Sequence, residues 1–131
     1  MGTCSLTKIV NDSDEIVCAM YRHCDGGPQW HGAYLAEFLY GYKILDGLPA
    51  KCEGKVANGA GCLAAQMICN FKKEPGNIYL APTSEGGAEY NYVYIVAVTL
   101  KGIVVQVYDN SKVIFHGNVP DFKIFCSKTK E

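Results

Sequence analysis

The densest group of polar and aromatic side chains lies between residues 21 and 32, where the chain reads Tyr-Arg-His-Cys-Asp-Gly-Gly-Pro-Gln-Trp-His-Gly. This stretch holds the only arginine and the only tryptophan of the protein and two of its three histidines. A guanidinium group binds phosphate or carboxylate through paired N–H donors, and an indole ring stacks on planar groups. The stretch therefore predicts a pocket for a phosphate-bearing ligand, lined by Tyr21, Arg22, His23, Asp25, Trp30 and His31.

The same stretch also has a purely structural interpretation. Arg22 can pair with Asp25, and Trp30 can fill a space in the core. The two histidines can bond backbone groups, because polar loops often satisfy their own hydrogen bonds. The sequence leaves both interpretations open.

A second candidate site is the glycine-rich segment at residues 58–62, which reads Asn-Gly-Ala-Gly-Cys before an apolar helix. Glycines at a helix N-terminus let backbone N–H groups approach an anion that the helix dipole also favours. The segment lacks the G-x-G-x-x-G spacing of dinucleotide-binding folds, and tight packing of the glycines against a sheet is the structural alternative. We predict that Asn58, Gly59 and Gly61, together with Gln66, bind the same ligand as Arg22.

The sequence gives weaker indications of catalysis and of metal binding. Cys62 could be a nucleophile with a lowered pKa if a histidine lay beside it, but a thiol here can equally be a small buried hydrophobe. Four side chains of metal-ligating type lie close together in sequence, namely His23, Cys24, Asp25 and His31. Their spacing matches no zinc pattern, and a neighbouring arginine opposes a cation. We expect no metal, no cofactor and no catalytic residue.

Composition limits the possible partners. The 131 residues contain 12 Lys+Arg against 13 Asp+Glu, so there is no basic field that would attract a nucleic-acid polymer. The longest mainly apolar stretch, residues 92–100, is far shorter than the roughly 20 residues that span a bilayer, and no signal-like segment begins the sequence. These features predict a single cytoplasmic domain over residues 1–131, without a membrane partner.

Cysteine usage indicates the redox state. Seven cysteines could suggest a disulfide framework, but the number is odd and no pair has Cys-x-x-Cys spacing. A chain of this size folds without covalent links. We expect reduced thiols, mostly buried as small hydrophobes.

Hydrophobic periodicity predicts the elements that position these residues. Residues 3–10 and 15–21 have strand-like composition around a polar turn, which indicates a hairpin. Apolar side chains recur with helical spacing at positions 35, 38, 39 and 42, and again at 63, 67, 68 and 71. Pro28 suits the first turn of the first helix and Asn58 the N-cap of the second. From residue 78 the pattern alternates, which predicts an antiparallel meander of strands at 78–80, 89–99, 103–108 and 112–116, and Pro120 begins a last short helix.

This order of elements predicts an α+β fold, with an antiparallel sheet of five or six strands and two helices packed on one face. The strand at residues 89–99 is apolar on both faces, whereas the helices can cover only one of them. We therefore expect a homodimer or larger homo-oligomer, in which a second subunit covers the other face.

Several segments resemble a family of small phage and prophage proteins. They are the opening Met-Gly-Thr-Cys-Ser-Leu-Thr, Tyr21-Arg22-His23 with Asp25-Gly26 and His31-Gly32, the Leu-Ala-Glu-Phe-Leu of residues 35–39, Asn58-Gly59 with Gly61-Cys62-Leu63-Ala64-Ala65-Gln66, and Glu89-Tyr90-x-Tyr92. The resemblance covers most of the chain. It departs from the family pattern at Cys4, where that pattern has Arg, and at Gly27, where it has Tyr, so a ligand role at those two places is not carried over.

The family itself implies no biochemical function. The chain is similar, however, in size, expected assembly and pocket chemistry to the phage proteins called sponges, which sequester the nucleotide signals of the Thoeris and cyclic-oligonucleotide (CBASS) defence systems. This analogy predicts a non-enzymatic, cytoplasmic anti-defence protein that binds a cyclic ADP-ribose-like or cyclic-oligonucleotide signal. Two alternatives stay open. One is a small nucleotide hydrolase or lyase using a histidine, with or without Cys62, and the other is an inhibitor that binds a host enzyme through the tyrosine-rich sheet.

Overall fold

The computed structural model describes residues 2–49 and 52–129, so Met1 of the opening motif lies outside the described residues. Three helices and eight strands follow one another along these residues, and they confirm the predicted α+β class. In chain order they are β1 (Ser5–Val10), β2 (Ile16–Arg22), a π-helical turn (Pro28–Gly32) that continues into α1 (Ala33–Leu39), β3 (Lys43–Leu45), β4 (Val56–Asn58), α2 (Gly59–Phe71), β5 (Ile78–Ala81), β6 (Tyr92–Thr99), β7 (Gly102–Asp109), β8 (Lys112–Asn118) and α3 (Val119–Lys128).

The main sheet has six strands in the order β5-β2-β1-β6-β7-β8. Four of its strand pairs are antiparallel, whereas β1 and β6 run parallel, with Thr7 opposite Tyr94. β7 and β8 are joined through Asn110 and Ser111, whose φ angles of 48° and 72° suit a tight hairpin turn. The sheet is therefore mixed, with a central parallel pair that the expectation of a purely antiparallel sheet did not include. β3 and β4 form a separate parallel pair that was not predicted.

One face of the sheet, here called the helix-covered face, shares a buried core with side chains of all three helices. Register places Ile9, Val96 and Val105 side by side on this face, and all three are completely buried. The helices contribute further fully buried side chains, which include Leu35, Leu39, Leu63, Met67 and Phe122. Each such side chain contributes about 1.5–3 kcal/mol relative to an exposed one. The core between sheet and helices thus fixes α1 and the end of α2 against the strands.

The opposite face, here called the open face, is partly covered by the chain itself. Leu6, Ala19 and Val93 form a small buried cluster there. The connection at residues 82–91 joins edge strand β5 to β6 and passes over this cluster. A Cβ at Gly87 would lie 2.8 Å from Cγ2 of Val93, so glycine allows the close approach. On the β7–β8 part of the open face Val104 and Val113 remain exposed.

Candidate functional site

Arg22 is the last residue of β2 and shares the helix-covered face with Met20, because side chains alternate along a strand. Its Nε donates a hydrogen bond to the carbonyl oxygen of Cys24 at 2.7 Å. Its guanidinium carbon lies 5.5 Å from the ring centroid of Tyr34 on α1. Among the described residues no ion-pair partner holds this group, so the expected alternative of a pair with Asp25 is not present. The guanidinium is fixed in place while its two terminal nitrogens remain available.

Arg22 lies in a cleft of about 480 Å³ between the end of β2, the outer side of α1 and the end of α2. This volume lies within the range of small-molecule sites, roughly 300–1,000 Å³. The other lining residues are Tyr34, Glu37, Phe38, Lys55, Asn70 and Phe71. We call this the Arg22 cleft.

Lys55 is the second cation of the Arg22 cleft. Its Nζ donates to the carbonyl oxygens of Glu37 and Tyr40 at 2.7 and 2.8 Å, which satisfies acceptors at the C-terminal end of α1. An ammonium group has three donors, so one remains for a ligand. The cleft therefore contains two fixed cations against one carboxylate, which favours an anion.

One exposed aromatic ring lines the Arg22 cleft, that of Tyr34, which is 48% exposed. Trp30 is 43% exposed, so it does not fill the core as the structural interpretation supposed. It lies four residues earlier, in the π-helical turn, and is not among the residues that line the cleft. A planar group bound near Arg22 would find an aromatic surface beside it.

The structure places His31 in the core rather than in the cleft. The ring is completely buried, its Nε2 lies 2.7 Å from Oγ1 of Thr7, and it packs against Phe71 and Tyr94. Burial, and secondly the charge of Arg22, lower the pKa of His31 to about 3. A neutral, enclosed imidazole cannot give a ligand the charged hydrogen bond predicted from the sequence. His31 has helical spacing with Leu35 and Phe38, at i+4 and i+7. This was the sequence signal that could have predicted its buried location.

The other residues of the 21–25 stretch do not line the Arg22 cleft. Tyr21 faces the open face, because it alternates with Arg22, and it stacks on Tyr79 at 5.8 Å between centroids. Its Oη lies 2.7 Å from Nδ1 of His23, so both side chains lie on the far side of the sheet. Asp25 is exposed with a φ of 60°, and its carbonyl oxygen accepts from the N–H of His31 at 3.0 Å. Asp25 therefore shapes the loop between β2 and the π-helical turn.

The glycine-rich start of α2 lies at the other end of that helix. α2 has 13 residues, and at 1.5 Å per residue its ends are separated by about 20 Å. Asn58 Oδ1 accepts from the N–H of Gly47, and Gln66 Nε2 donates to the carbonyl oxygen of Val56, so both side chains have structural partners. A Cβ at Gly61 would lie 4.0 Å from Val17, and Gly59 has a φ of 79°. The two predicted sites are therefore not brought together.

A separate small cleft adjoins the start of α2, and its lining includes Gly59, Asp12 and Asp46. Two carboxylates beside a helix N-terminus oppose a bound anion. The prediction that this glycine-rich segment holds the same anion as Arg22 thus has no support from the surrounding charges.

Residues of catalytic type are dispersed. The thiol of Cys62 donates to Oε1 of Gln66 at 3.5 Å, whereas His23 is bonded to Tyr21 and His31 to Thr7. In the described part of the chain no three His, Cys, Asp or Glu side chains are grouped as a metal ion would require. Over the same residues, no helix has both the length and the apolar character needed to cross a membrane.

Comparisons of the chain with protein-family models, with curated proteins and with solved structures found no match. Functional information therefore comes from the residues of the Arg22 cleft.

Proposed function

We propose that the protein binds a small nucleotide-derived anion in the Arg22 cleft and does not convert it. The observation that carries the proposal is the fixed guanidinium of Arg22, whose terminal N–H groups lie in a cleft with Lys55. A group that is already held loses little freedom on binding, so more of the interaction energy contributes to affinity.

The aromatic surface supports a nucleotide rather than a bare inorganic anion. Tyr34 is close to Arg22 and about half exposed, so a base can stack on the ring while a phosphate meets the guanidinium. Stacking of one base on an aromatic side chain contributes about 1–3 kcal/mol, and a hydrogen bond to a charged group about 1.5–3 kcal/mol. Two such contributions together support binding of a mononucleotide-sized group.

The lining of the Arg22 cleft also supports binding without turnover. Among the described residues that line it there is neither histidine nor cysteine, and its carboxylate, Glu37, pairs with Lys123 at 3.3 Å. A hydrolase or lyase would need a nucleophile and a base within hydrogen-bond reach of the same ligand atom. A hydrolytic role for Cys62 therefore has less support than binding.

The biological role that we propose comes from the analogy with phage sponges in size, expected assembly and pocket chemistry. The protein would act in the host cytoplasm as an anti-defence sponge, which lowers the free concentration of a cyclic ADP-ribose-like or cyclic-oligonucleotide signal. Sequestration needs high affinity for the signal and a high copy number of the protein, and it needs no cofactor.

Calorimetry and thermal shift against cyclic ADP-ribose isomers, cyclic di- and trinucleotides, AMP and ADP would test the proposal. A ligand at 100 times its dissociation constant should add about 2.7 kcal/mol to the free energy of unfolding. Arg22→Ala should weaken binding at least about tenfold, because it removes charged hydrogen bonds. Lys8→Ala is the matched control, since Lys8 is a cation on the open face of β1 and should leave affinity unchanged.

Release of the bound nucleotide by heat, followed by chromatography, separates binding from catalysis. Recovery of the intact molecule supports a sponge, and recovery of a product would indicate an enzyme. Unchanged affinity of Arg22→Ala with a native melting curve would contradict the proposed site.

A protein partner is the second candidate function. The predicted interface, the tyrosine-rich sheet, is partly accessible: Tyr94 is buried on the helix-covered face and Tyr90 is half-buried and bonded to Glu85, whereas Tyr79 on β5 is 50% exposed. Exposed aromatic residues also lie on the α1 side, where Trp30, Tyr34 and Tyr40 are 43–48% exposed. Aromatic residues with an adjacent arginine are typical of interface centres, so an inhibitor would bind through this side.

A further inference from the structure

The Arg22 cleft contains one feature that an anion site alone does not explain. Glu37 lines the cleft together with the two cations, and its side chain is 74% exposed. A carboxylate repels the phosphate that Arg22 and Lys55 attract. Its neighbour in a bound molecule must therefore be an uncharged donor or a cation.

Two lysines contact Glu37, one at its backbone carbonyl and one at its carboxylate. Its carbonyl oxygen accepts from Lys55, and its Oε2 lies 3.3 Å from Nζ of Lys123 on α3. Lys123 is itself held 4.3 Å from the ring centroid of Tyr40. Because Lys123 already balances the charge of Glu37, the remaining carboxylate oxygen suits a neutral O–H donor better than a second cation.

The spacing along α1 matches the layout of one nucleotide. Tyr34 and Glu37 are three residues apart and lie on the same side of the helix, about one turn or 5 Å from each other. The side of α1 that lines the cleft therefore presents, over one turn, an aromatic ring with Arg22 and then a carboxylate with Lys55. A base, a sugar and a phosphate are the three groups that such a surface can contact at once.

We infer that the Arg22 cleft selects ribonucleotides over deoxyribonucleotides, with Glu37 accepting hydrogen bonds from ribose hydroxyl groups. This inference rests on the proposed nucleotide-binding function and names the sugar that the same site takes. Carboxylates recognise ribose hydroxyls in this way in dinucleotide-binding folds. Asn70 on α2 adds an amide at the wall of the cleft, which can pair with a base edge.

Calorimetry with AMP and 2′-deoxy-AMP on the wild type, Glu37→Met and Glu89→Met tests the inference. The wild type should bind AMP at least about fivefold more tightly than 2′-deoxy-AMP. Glu37→Met removes the acceptor and should abolish this preference, because AMP loses a hydrogen bond that 2′-deoxy-AMP does not make. Glu89→Met removes the same charge from the connection over the open face, so the preference should persist.

Lys123→Met separates the carboxylate from its salt bridge. This variant keeps Glu37 and removes only the lysine cation, which lies over the Tyr40 ring, so the preference for AMP should remain. If Glu37→Met instead strengthens both nucleotides equally, Glu37 is only a repelling charge and the inference is overturned. Equal affinity of the wild type for both nucleotides overturns the inference but leaves the proposed function intact. Failure to bind these or any cyclic nucleotide overturns both.

Discussion

His31 is an enclosed imidazole whose neighbours favour its neutral form. It touches the hydroxyl of Thr7 and the rings of Phe71 and Tyr94, and its Nδ1 has no hydrogen-bond partner among the described residues. Protonation of the buried ring would place a positive charge inside the core, close to the positive charge of Arg22. Desolvation and this repulsion both lower the pKa of His31, to about 3.

The low pKa of His31 predicts a loss of stability in mild acid. The pKa is about 3 in the folded protein and 6.5 for an exposed histidine, so the unfolded chain binds more protons between these values. The free energy of unfolding should therefore fall as the pH drops below 6.5, by about 1.4 kcal/mol per pH unit from this group. Between pH 7 and pH 5 the wild type should lose about 2 kcal/mol more than His31→Gln in urea titrations. Equal losses in both proteins would show that His31 is not the group responsible.

The residues of the Arg22 cleft were predictable from sequence only in part. Arg22 was found because it is the only arginine and follows a strand-like run. Lys55 lies 33 residues later, and no local pattern connects the two positions. Tyr34 and Glu37 belong to a helix that was predicted, but the sequence marks its buried side and not what lies beside its exposed side.

At the scale of elements, Gly32 sets the distance between α1, α3 and β6. A Cβ at this position would lie 2.9 Å from Sγ of Cys126 on α3 and 3.3 Å from Oη of Tyr94 on β6. That hydroxyl donates to the carbonyl oxygen of Gly26 at 2.8 Å, which fixes the loop before the helix. The two helices and the strand can meet here only because residue 32 has no side chain.

Gly32→Ala should therefore destabilise the protein by about 1–3 kcal/mol, because an added methyl group overpacks a filled core. Combining it with Cys126→Ala removes the nearest atom and should recover part of that loss. A double-mutant cycle by chemical denaturation measures the coupling between the two positions. Simple additivity of the two changes would mean that the contact with Cys126 is not the cause.

The positions of the strands and helices along the chain were predicted better than the order in which the strands pair in the sheet. Alternation identifies which side chains share a face, as Val96 and Val98 do in the core. It does not state which strand lies alongside, so the parallel pair of β1 and β6 could not be deduced. β3 and β4 have three residues each, too few for a period to appear.

At the scale of the whole molecule, the open face predicts self-association. The connection at residues 82–91 covers one part of that face, but Val104 and Val113 remain 41% and 48% exposed. We expect two copies to meet over β7 and β8, with a mass twice 14.3 kDa in light scattering. Val104→Lys should shift the protein towards the monomer. A wild-type mass of 14.3 kDa at micromolar concentration would contradict this expectation.

The thiols predict the response of the whole protein to redox conditions. All seven cysteines are free, three of them exposed, namely Cys24, Cys52 and Cys69. Burial raises the pKa of Cys126 to about 12, so it should react far more slowly than these three. A reducing agent should leave the melting temperature unchanged, and mass spectrometry after brief iodoacetamide treatment should find Cys126 unmodified. A large fall in melting temperature on reduction would refute the free-thiol assignment.

The parallel pairing of β1 with β6 also determines when the chain can complete its main sheet during synthesis. Ser5 of β1 pairs with Tyr92 of β6, so the contact spans 87 positions in the sequence. Ribosomes add about 5–20 residues per second, which puts roughly 4–17 s between synthesis of the two strands. During that time the β1–β2 hairpin lacks its central neighbour, and Leu6 and Ala19 on the open face lack Val93, with which they are buried in the folded protein. Pairing between strands so distant in sequence favours a late and slow folding event, in which β6 completes the sheet.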